Sequence, residues 1–381
     1  MSTVIHSVRL VDAGSVTPDA WVRFDAGRVV ATGTGSTWEP ADTVVDGSGS
    51  AGPDAVLTPG FVDLHGHGGG GCNHDEGADA VRTARAVHRA HGTTRAVLSL
   101  VTAAMGDLAE RTTMIAELAA SDPEILGSHL EGPFLDPGHK GAHTEGLLRS
   151  PHPADVARLL DAGRGTIRQV TLAPELPGAD AAIERFRAAG TVVAVGHTDA
   201  DAADARAAFD AGATLLTHAF NAMNGIHHRA PGPVAAALGD DRVVLEIIAD
   251  GIHVDPGLIA VLFRVAGDRI ALITDAMSAA GAPDGAYELG GLAVTVQDGT
   301  ARLTEGGAIA GSTLTQDVAL RHVVDAGVDL ATAVGALTRT PARVLGIDDI
   351  GRLAVGARAD AVLLTADLAV RSVWVDGAAV P

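Results

Sequence analysis

The sequence predicts an α/β protein, a TIM-like (β/α)8 barrel with a small β-sandwich domain built from both chain ends. Three observations carry this expectation. Across residues 55–351, apolar runs of strand character alternate with Ala-rich helical patterns, the pattern of a parallel α/β fold. Eight such runs can be counted, the number that closes a barrel. Several of them stop at a His, Glu or Asp, and the carboxyl ends of the strands are where a barrel gathers its functional residues.

In chain order, residues 1–54 read as short β segments, Val4–Val11, Ala20–Phe24 and Arg28–Thr32, divided by Gly, Asp and Pro turns. Residues 352–381 read likewise, with Ala361–Thr365 and Arg371–Val375 between Gly356 and Gly377. Pairing of these end pieces gives one discontinuous small domain, and residues 55–351 form the barrel. The strand candidates are Ala55–Leu64, Thr94–Leu100, Ile125–Leu130, Ile167–Leu172, Thr191–Val195, Thr214–Thr217, Val243–Ile248 and Ile270–Thr274. Helical patterns between them include Asp79–Ala90, Ala179–Ala189 and Ala202–Ala211, and Thr300–Ala310 reads as an extra β excursion after strand eight. A doubly wound open sheet is the main structural rival. It calls for a dinucleotide fingerprint or a phosphate loop after the first strand, and the Gly-rich stretch Gly66–Gly71 lacks the Gly-Lys-Ser/Thr of the latter.

Composition agrees with a barrel and narrows the function. Hydrophobic residues make up 47% and aromatics 3%, so Val, Leu, Ile and Ala build the core, as buried parallel strands require. A net charge of −20 argues against nucleic acid or an anionic membrane as partner. An anionic substrate then needs a local basic site. The N-terminus has no signal-peptide pattern, and no uncharged run approaches the ~20 residues of a membrane span. The single cysteine, Cys72, excludes an internal disulfide and suits a reducing, cytoplasmic compartment.

The strand ends carry the chemistry. Strand one ends in His65-Gly-His67, and residues i and i+2 of an extended segment point to one side, so both imidazoles can hold one cation. Alone, the pair also reads as two exposed histidines in a Gly-rich turn. Strand three ends at Glu131, stopped by Gly132-Pro133; strand five ends before His197, strand six before His218, and strand eight before Asp275. A histidine after an apolar strand is usually a hydrogen-bonded core residue, and a lone Glu there is usually a cap or a surface acid. Their joint occurrence at the ends of five strands favours a metal-dependent hydrolase. Nitrogen and carboxylate donors without thiolates suit Zn²⁺, with Fe, Mn, Co or Cd as substitutes, and an open position for water.

Roles follow from that chemistry. A bound divalent ion acidifies water, and Asp275 is placed to take the proton and return it to a leaving amine. His143, on the loop after Glu131, suits polarisation of a substrate carbonyl. His129, two residues before Glu131, reads as a residue that orients the ligand without binding the metal. Cys72 lies near the expected site, as a small buried residue or as a thiol that binds a stray metal or oxidises.

The motifs His-Leu-Glu131-Gly-Pro-Phe, Lys140-Gly-Ala-His143, Val-Gly-His197-Thr, Thr-His218-Ala-Phe-Asn221-Ala-Met, Ala-Asp-Gly-Ile-His253-Val, Thr-Asp275-Ala and Ala-Gly-Ser-Thr-Leu314-Thr closely resemble the N-acetylglucosamine-6-phosphate deacetylases of the amidohydrolase superfamily. The resemblance spans essentially the whole chain. It implies the barrel with its two-ended β domain, hydrolysis of an acetamide to acetate and glucosamine 6-phosphate, and a homodimer. Carried across, Glu131, His197 and His218 match the shared metal site, Asp275 the acid/base and His143 the carbonyl-polarising residue. Asn221, Ala222, Arg229 and His253 match positions that hold the sugar phosphate, and Gly132 and Leu314 within the motifs complete the substrate-binding set. Arg229 also suits bidentate phosphate binding on its own chemistry; the alternative is a surface charge. Part of the phosphate site in this family comes from the neighbouring subunit.

Some members lack His-x-His on strand one, so His65 and His67 imply a second metal with Glu131 bridging. Many binuclear relatives bridge with a carbamylated lysine at strand four. Here that strand ends Thr-Leu-Ala-Pro-Glu175, and the sole lysine is Lys140, which weakens readings such as dihydroorotase, hydantoinase or urease. The same lysine is poorly placed for a Schiff-base aldolase-type lyase. A deacetylase for the galactosamine epimer and a barrel that only binds remain as rivals.

Overall fold

The computed structural model describes residues 1–380. Eight parallel strands run in sequential order around the barrel: Phe61–Asp63, Thr93–Val101, Ile125–Glu131, Ile167–Leu172, Val192–Val195, Leu215–Leu216, Val244–Ile248 and Ile270–Ile273. Strands one and eight share no ladder, and side chains close that seam. Gln316 Nε2 donates to Val62 O at 3.0 Å and Leu272 O at 3.3 Å, one carbonyl from each strand. Thr274 Oγ1 donates to Asp63 Oδ2 at 2.6 Å, and the Asp275 amide donates to His65 O at 2.8 Å. The seam therefore ends between two of the expected site residues.

The first expected strand is two strands. Val56–Pro59 belongs to the small domain, where it pairs with the first strand of the chain and with Ala361–Leu364. Phe61–Asp63 belongs to the barrel. The break falls at Pro59-Gly60: proline has no N–H for a ladder, and a Cβ on Gly60 would lie 2.2 Å from Thr94 Oγ1. The small domain is one eight-stranded sheet drawn from both chain ends. It curls so that Ile5, Val22 and Phe24 share a core with Leu57, Leu363 and Trp374.

The helices lie as expected, including Ala78–Ala90, Ala179–Ala188 and Ala202–Ala211. The β excursion begins ahead of its expected start. It is a three-stranded antiparallel sheet of Gly285–Leu289, Leu292–Gln297 and Thr300–Leu303. Only alternate residues of its middle strand, Val294 and Val296, are buried, so it offers no continuous apolar run.

A buried ion pair joins the two units. Arg95, in barrel strand two, donates through Nε to Asp360 Oδ2 at 2.7 Å and through Nη2 to Asp376 Oδ1 at 2.8 Å. The guanidinium is 1% exposed and Asp360 3%. Removing one partner strands the other charge in the interior, which costs about 3–5 kcal/mol. Arg95→Ala is therefore expected to lower the thermal midpoint clearly, whereas Arg28→Ala, at an exposed pair with Asp349, leaves it within about 1 kcal/mol of the parent stability. Differential scanning calorimetry of both variants checks this.

Candidate metal centre and active site

The barrel strands deliver their last residues to one mouth, and the backbone there is strained to do so. His197, His218 and Asp275 each have positive φ, 48°, 25° and 47°. Non-glycine residues in that region cost about 1–3 kcal/mol each and cluster at functional sites. The turn stops each strand and swings its side chain across the mouth, which explains why strand six is only Leu215–Leu216. Gly132, φ 88°, turns the chain after Glu131, and a Cβ on it would lie 2.2 Å from Thr102 Oγ1.

Glu131 is the meeting point. Its Oε1 lies 3.2 Å from Nε2 of both His197 and His218, and 3.3 Å from Nε2 of His65. Its Oε2 lies 3.1 Å from Nε2 of His67 and 3.4 Å from Nε2 of His143. Asp275 Oδ1 is 3.2 Å from His67 and 3.5 Å from His65. Two buried groups result, His65/His67/Asp275 and Glu131/His197/His218, each with its ligand atoms within 4.8 Å of one another. Asp275 therefore stands among the donors of the first group as well as in position for proton transfer.

The donor set fits a divalent cation. Nε2 atoms approach in pairs, His65–His67 at 3.2 Å and His197–His218 at 3.0 Å, and with Nδ1 of His65 facing Glu246 and Nδ1 of His197 facing His139 O, Nε2 of each is free to act as a donor to a cation. No Lys or Arg lines this mouth among the described residues. Burial pushes the Glu131 carboxyl up, yet His65, His143, His197 and His218 hold it well below the usual range. Burial raises Asp275 too, but His65 and His67 hold it down at about 2. Burial lowers His67, but Asp275 and Glu131 lift it to about 9. The carboxylates that draw a proton onto His67 draw a cation by the same field.

His143 differs. Burial, reinforced by His197, lowers it to about 4 in spite of Glu131, so its imidazole is neutral near pH 7. Thr102 Oγ1 lies 2.8 Å from its Nδ1; with the hydroxyl donating, Nε2 carries the hydrogen and faces the cavity. His129 does not touch Glu131. Its nitrogens meet Ser99 Oγ and Thr171 Oγ1, both at 2.8 Å, and its ring packs edge-on against His65 at 4.5 Å. It braces His65 rather than Glu131.

The mouth opens into a cavity of about 340 Å³ that also reaches Asn221, Ala222 and His253. Asn221 Nδ2 is tied to His218 O at 3.2 Å, which leaves its carbonyl oxygen free. His253 Nδ1 donates to Asp250 Oδ2 at 2.6 Å; burial lowers its pKa, and Asp250 more than offsets that, so the net shift is upward. Three expected substrate residues do not line the cavity: Gly132 turns the chain behind Glu131, Leu314 is buried in the barrel core, and Arg229 is on an exposed loop, its Nη1 donating to His228 Nε2 at 2.8 Å. Lys140 pairs with Glu145 at the surface. Cys72 is half-buried in the hairpin of Gly68–Gly69 and Cys72–Asn73, away from the cavity lining.

Sequence reasoning missed Glu246, in barrel strand seven. It is fully buried, with Oε2 3.2 Å from His65 Nδ1 and Oε1 accepting from Gln169 Nε2 at 2.8 Å. An acid inside Val-Leu-Glu-Ile-Ile, an otherwise apolar strand, was the available signal.

Comparison with known proteins decides the lineage. The Amidohydrolase family matches residues 56–380. This chain belongs to that family. Among curated proteins, the N-acetylgalactosamine-6-phosphate deacetylase of Escherichia coli O157:H7 is 41% identical over 332 residues, covering 84% of this chain and 87% of that one. The N-acetylglucosamine-6-phosphate deacetylase of Bacillus subtilis (strain 168) is 34% identical over 380 residues, covering 96% and 94%. A mutant N-acetyl-D-glucosamine-6-phosphate deacetylase from Mycobacterium smegmatis, solved in complex with N-acetyl-D-glucosamine-6-phosphate, superposes with a TM-score of 0.93 at 43% identity, covering 100% of this amidohydrolase and 98% of that chain.

Glu246→Gln keeps the volume and removes the carboxyl group that fixes His65 through Nδ1. Loss of such a partner weakens metal affinity about 10–100-fold. Titration against a chromophoric chelator is expected to show that weakening; parent-like affinity would remove Glu246 from the site.

Proposed function

We propose that this amidohydrolase hydrolyses the acetamide of N-acetylglucosamine 6-phosphate to glucosamine 6-phosphate and acetate. The observation that carries the reading is the meeting of two ligand groups on Glu131, with Asp275 and a neutral His143 facing the same cavity. Glu131, His197 and His218 hold one divalent ion, Zn²⁺ before Fe, Mn, Co or Cd, and His65 and His67 with Asp275 hold a second. The metal, when bound, acidifies water near neutral pH and polarises the amide.

The chain's own residues do the rest. Asp275, ionised at neutral pH, takes the proton from the attacking water and delivers it to the sugar nitrogen as the C–N bond breaks. His143 Nε2–H supports the developing oxyanion, with Thr102 fixing its tautomer. Asn221, Ala222 and His253, which line the cavity, hold the sugar phosphate. Arg229, exposed on its loop, binds phosphate in the cavity of a neighbouring copy, so the proposed assembly is a homodimer. A lone half-buried cysteine suits a reducing compartment, and the proposed setting is cytoplasmic. A specific observation favours a second reading: the galactosamine-type relative is 41% identical, and the epimers differ at one hydroxyl.

Acetate release from N-acetylglucosamine 6-phosphate, its galactose epimer and the unphosphorylated sugar is the direct test. The expected result is fast release from the glucose-type phosphate, abolished by chelation and restored by metal. Fast release from the galactose epimer alone would favour the second reading. Asp275→Asn is expected to lose about 10²–10⁴ in turnover while the Glu131 group keeps its ion by elemental analysis; near-parent turnover would remove Asp275 as the acid/base.

His253 gives a pH dependence. Its pKa is raised, so the ring is charged below that value and neutral above it. KM for the phosphorylated sugar is expected to climb as pH rises through it, and the climb to vanish in His253→Asn. An identical climb in that variant would take the charge on His253 out of phosphate binding.

A further inference from the structure

The cavity is lined by more than carboxylates and imidazoles. Val101, Ala142, Leu289 and Ile309 add apolar surface that the proposed chemistry does not use. Val101 is the ladder partner of Glu131 on the adjacent strand, and paired residues in a parallel sheet share a face. It also precedes Thr102, whose hydroxyl holds His143. Ala142 immediately precedes His143. The apolar wall therefore abuts the edge of the site where the carbonyl is polarised.

That wall is built, not incidental. Leu289 comes from the β excursion, 4% exposed, in one apolar cluster with Val101 and Met277 and with Ala142 packed against it. The turn that follows Leu289 is pinned over the barrel: Gly290 O accepts from Thr144 Oγ1 at 3.4 Å, and Glu288 O accepts from Asn73 Nδ2 at 3.1 Å. Ile309 returns along the same excursion, and Ser312 behind it is tied to the segment that carries Asp275, its amide donating to Asp275 O at 2.7 Å and its carbonyl accepting from Met277 N at 2.9 Å. The wall is thus held in register with the acid/base.

A phosphorylated sugar is hydroxylated at nearly every carbon. The apolar group bonded to its reacting carbonyl is the acyl methyl. We infer that Leu289 and Ile309, with Val101, form an acyl pocket that restricts this enzyme to N-acetyl substrates. The inference rests on the proposed deacetylation. One methylene too many in such a pocket costs roughly 10–200-fold in kcat/KM.

The test is kcat/KM for the N-acetyl, N-propionyl and N-butyryl forms of glucosamine 6-phosphate, in the metal-loaded parent, Leu289→Ala and Ile309→Ala. Release of acetate by the parent checks the deacetylase reading separately, before any ratio is taken. The parent is expected to prefer acetyl over propionyl by at least about 10-fold, and each variant to shrink that preference several-fold with metal content unchanged. A merely structural role would lower all three substrates together. Unchanged acyl ratios in both variants, or a parent indifferent to chain length, would overturn the pocket and leave the wall to the sugar ring. If Leu289→Ala fails to fold, Leu289→Val with Ile309→Ala yields the same ratios.

Discussion

The whole active end is organised by one electrostatic constraint: Glu131 is 4% exposed and ionised. A carboxylate in that setting must be matched by positive charge or it becomes protonated. The chain supplies no Lys or Arg to the cavity among the described residues, and the fully buried Glu246 places a further carboxyl group beneath His65. Imidazoles from strands one, five and six and from the strand-three loop surround Glu131, and they can satisfy it as proton carriers or as metal ligands. The second possibility explains why they converge through Nε2 in close pairs. It also explains why Nδ1 of His65 is taken by Glu246 and Nδ1 of His197 by His139 O at 2.9 Å, since a ligand's second nitrogen is where its orientation is set.

Holding that arrangement costs backbone energy, and the barrel supplies it. His197, His218 and Asp275 all sit at positive φ directly after apolar strands. The strands themselves are anchored by a continuous core that includes Val170, Val193, Leu215, Leu245 and Leu272. Below the mouth lies a polar layer in which His129 joins Ser99 to Thr171, and Thr171 joins Thr217 at 2.8 Å. Hydroxyls and a neutral imidazole satisfy one another there without charge, so the layer supports the ligands and competes for none of the cation's field.

The parts of the fold legible in the sequence were those with a period or an abrupt end. Seven of the barrel strands were marked by short segments rich in Val, Leu and Ile, and the site by His, Glu or Asp at or just after their ends. What escaped had no such contrast. The run Ala55–Leu64 is mostly apolar on both sides of Pro59-Gly60, so its hydrophobic pattern does not change where the chain passes from one sheet to another. The excursion buries one face only and begins amid Gly, Pro and Asp. Glu246 reads as an anomaly in a buried strand until His65, 181 positions away, is seen beside it. Arg229 fits phosphate by residue type, yet the loop that carries it faces outward, a matter of loop direction that spacing does not encode.

Chemistry and recognition thus draw on different parts of the chain. The hydrolytic set lies on strand ends, where eight-fold closure fixes each side chain against its neighbours and little can drift. The groups proposed to meet the sugar and its phosphate, Asn221, His253 and Arg229, lie on longer loops, and much of the apolar wall lies on an excursion added after strand eight. Relatives named for glucosamine and galactosamine phosphates both match this chain at 34–41% identity. That is the outcome expected when one bond-breaking apparatus is kept rigid and the surface that reads a single hydroxyl is carried by loops. Identity summed over the chain then weighs the apparatus heavily and the reader lightly, and substrate choice has to be sought in the loops.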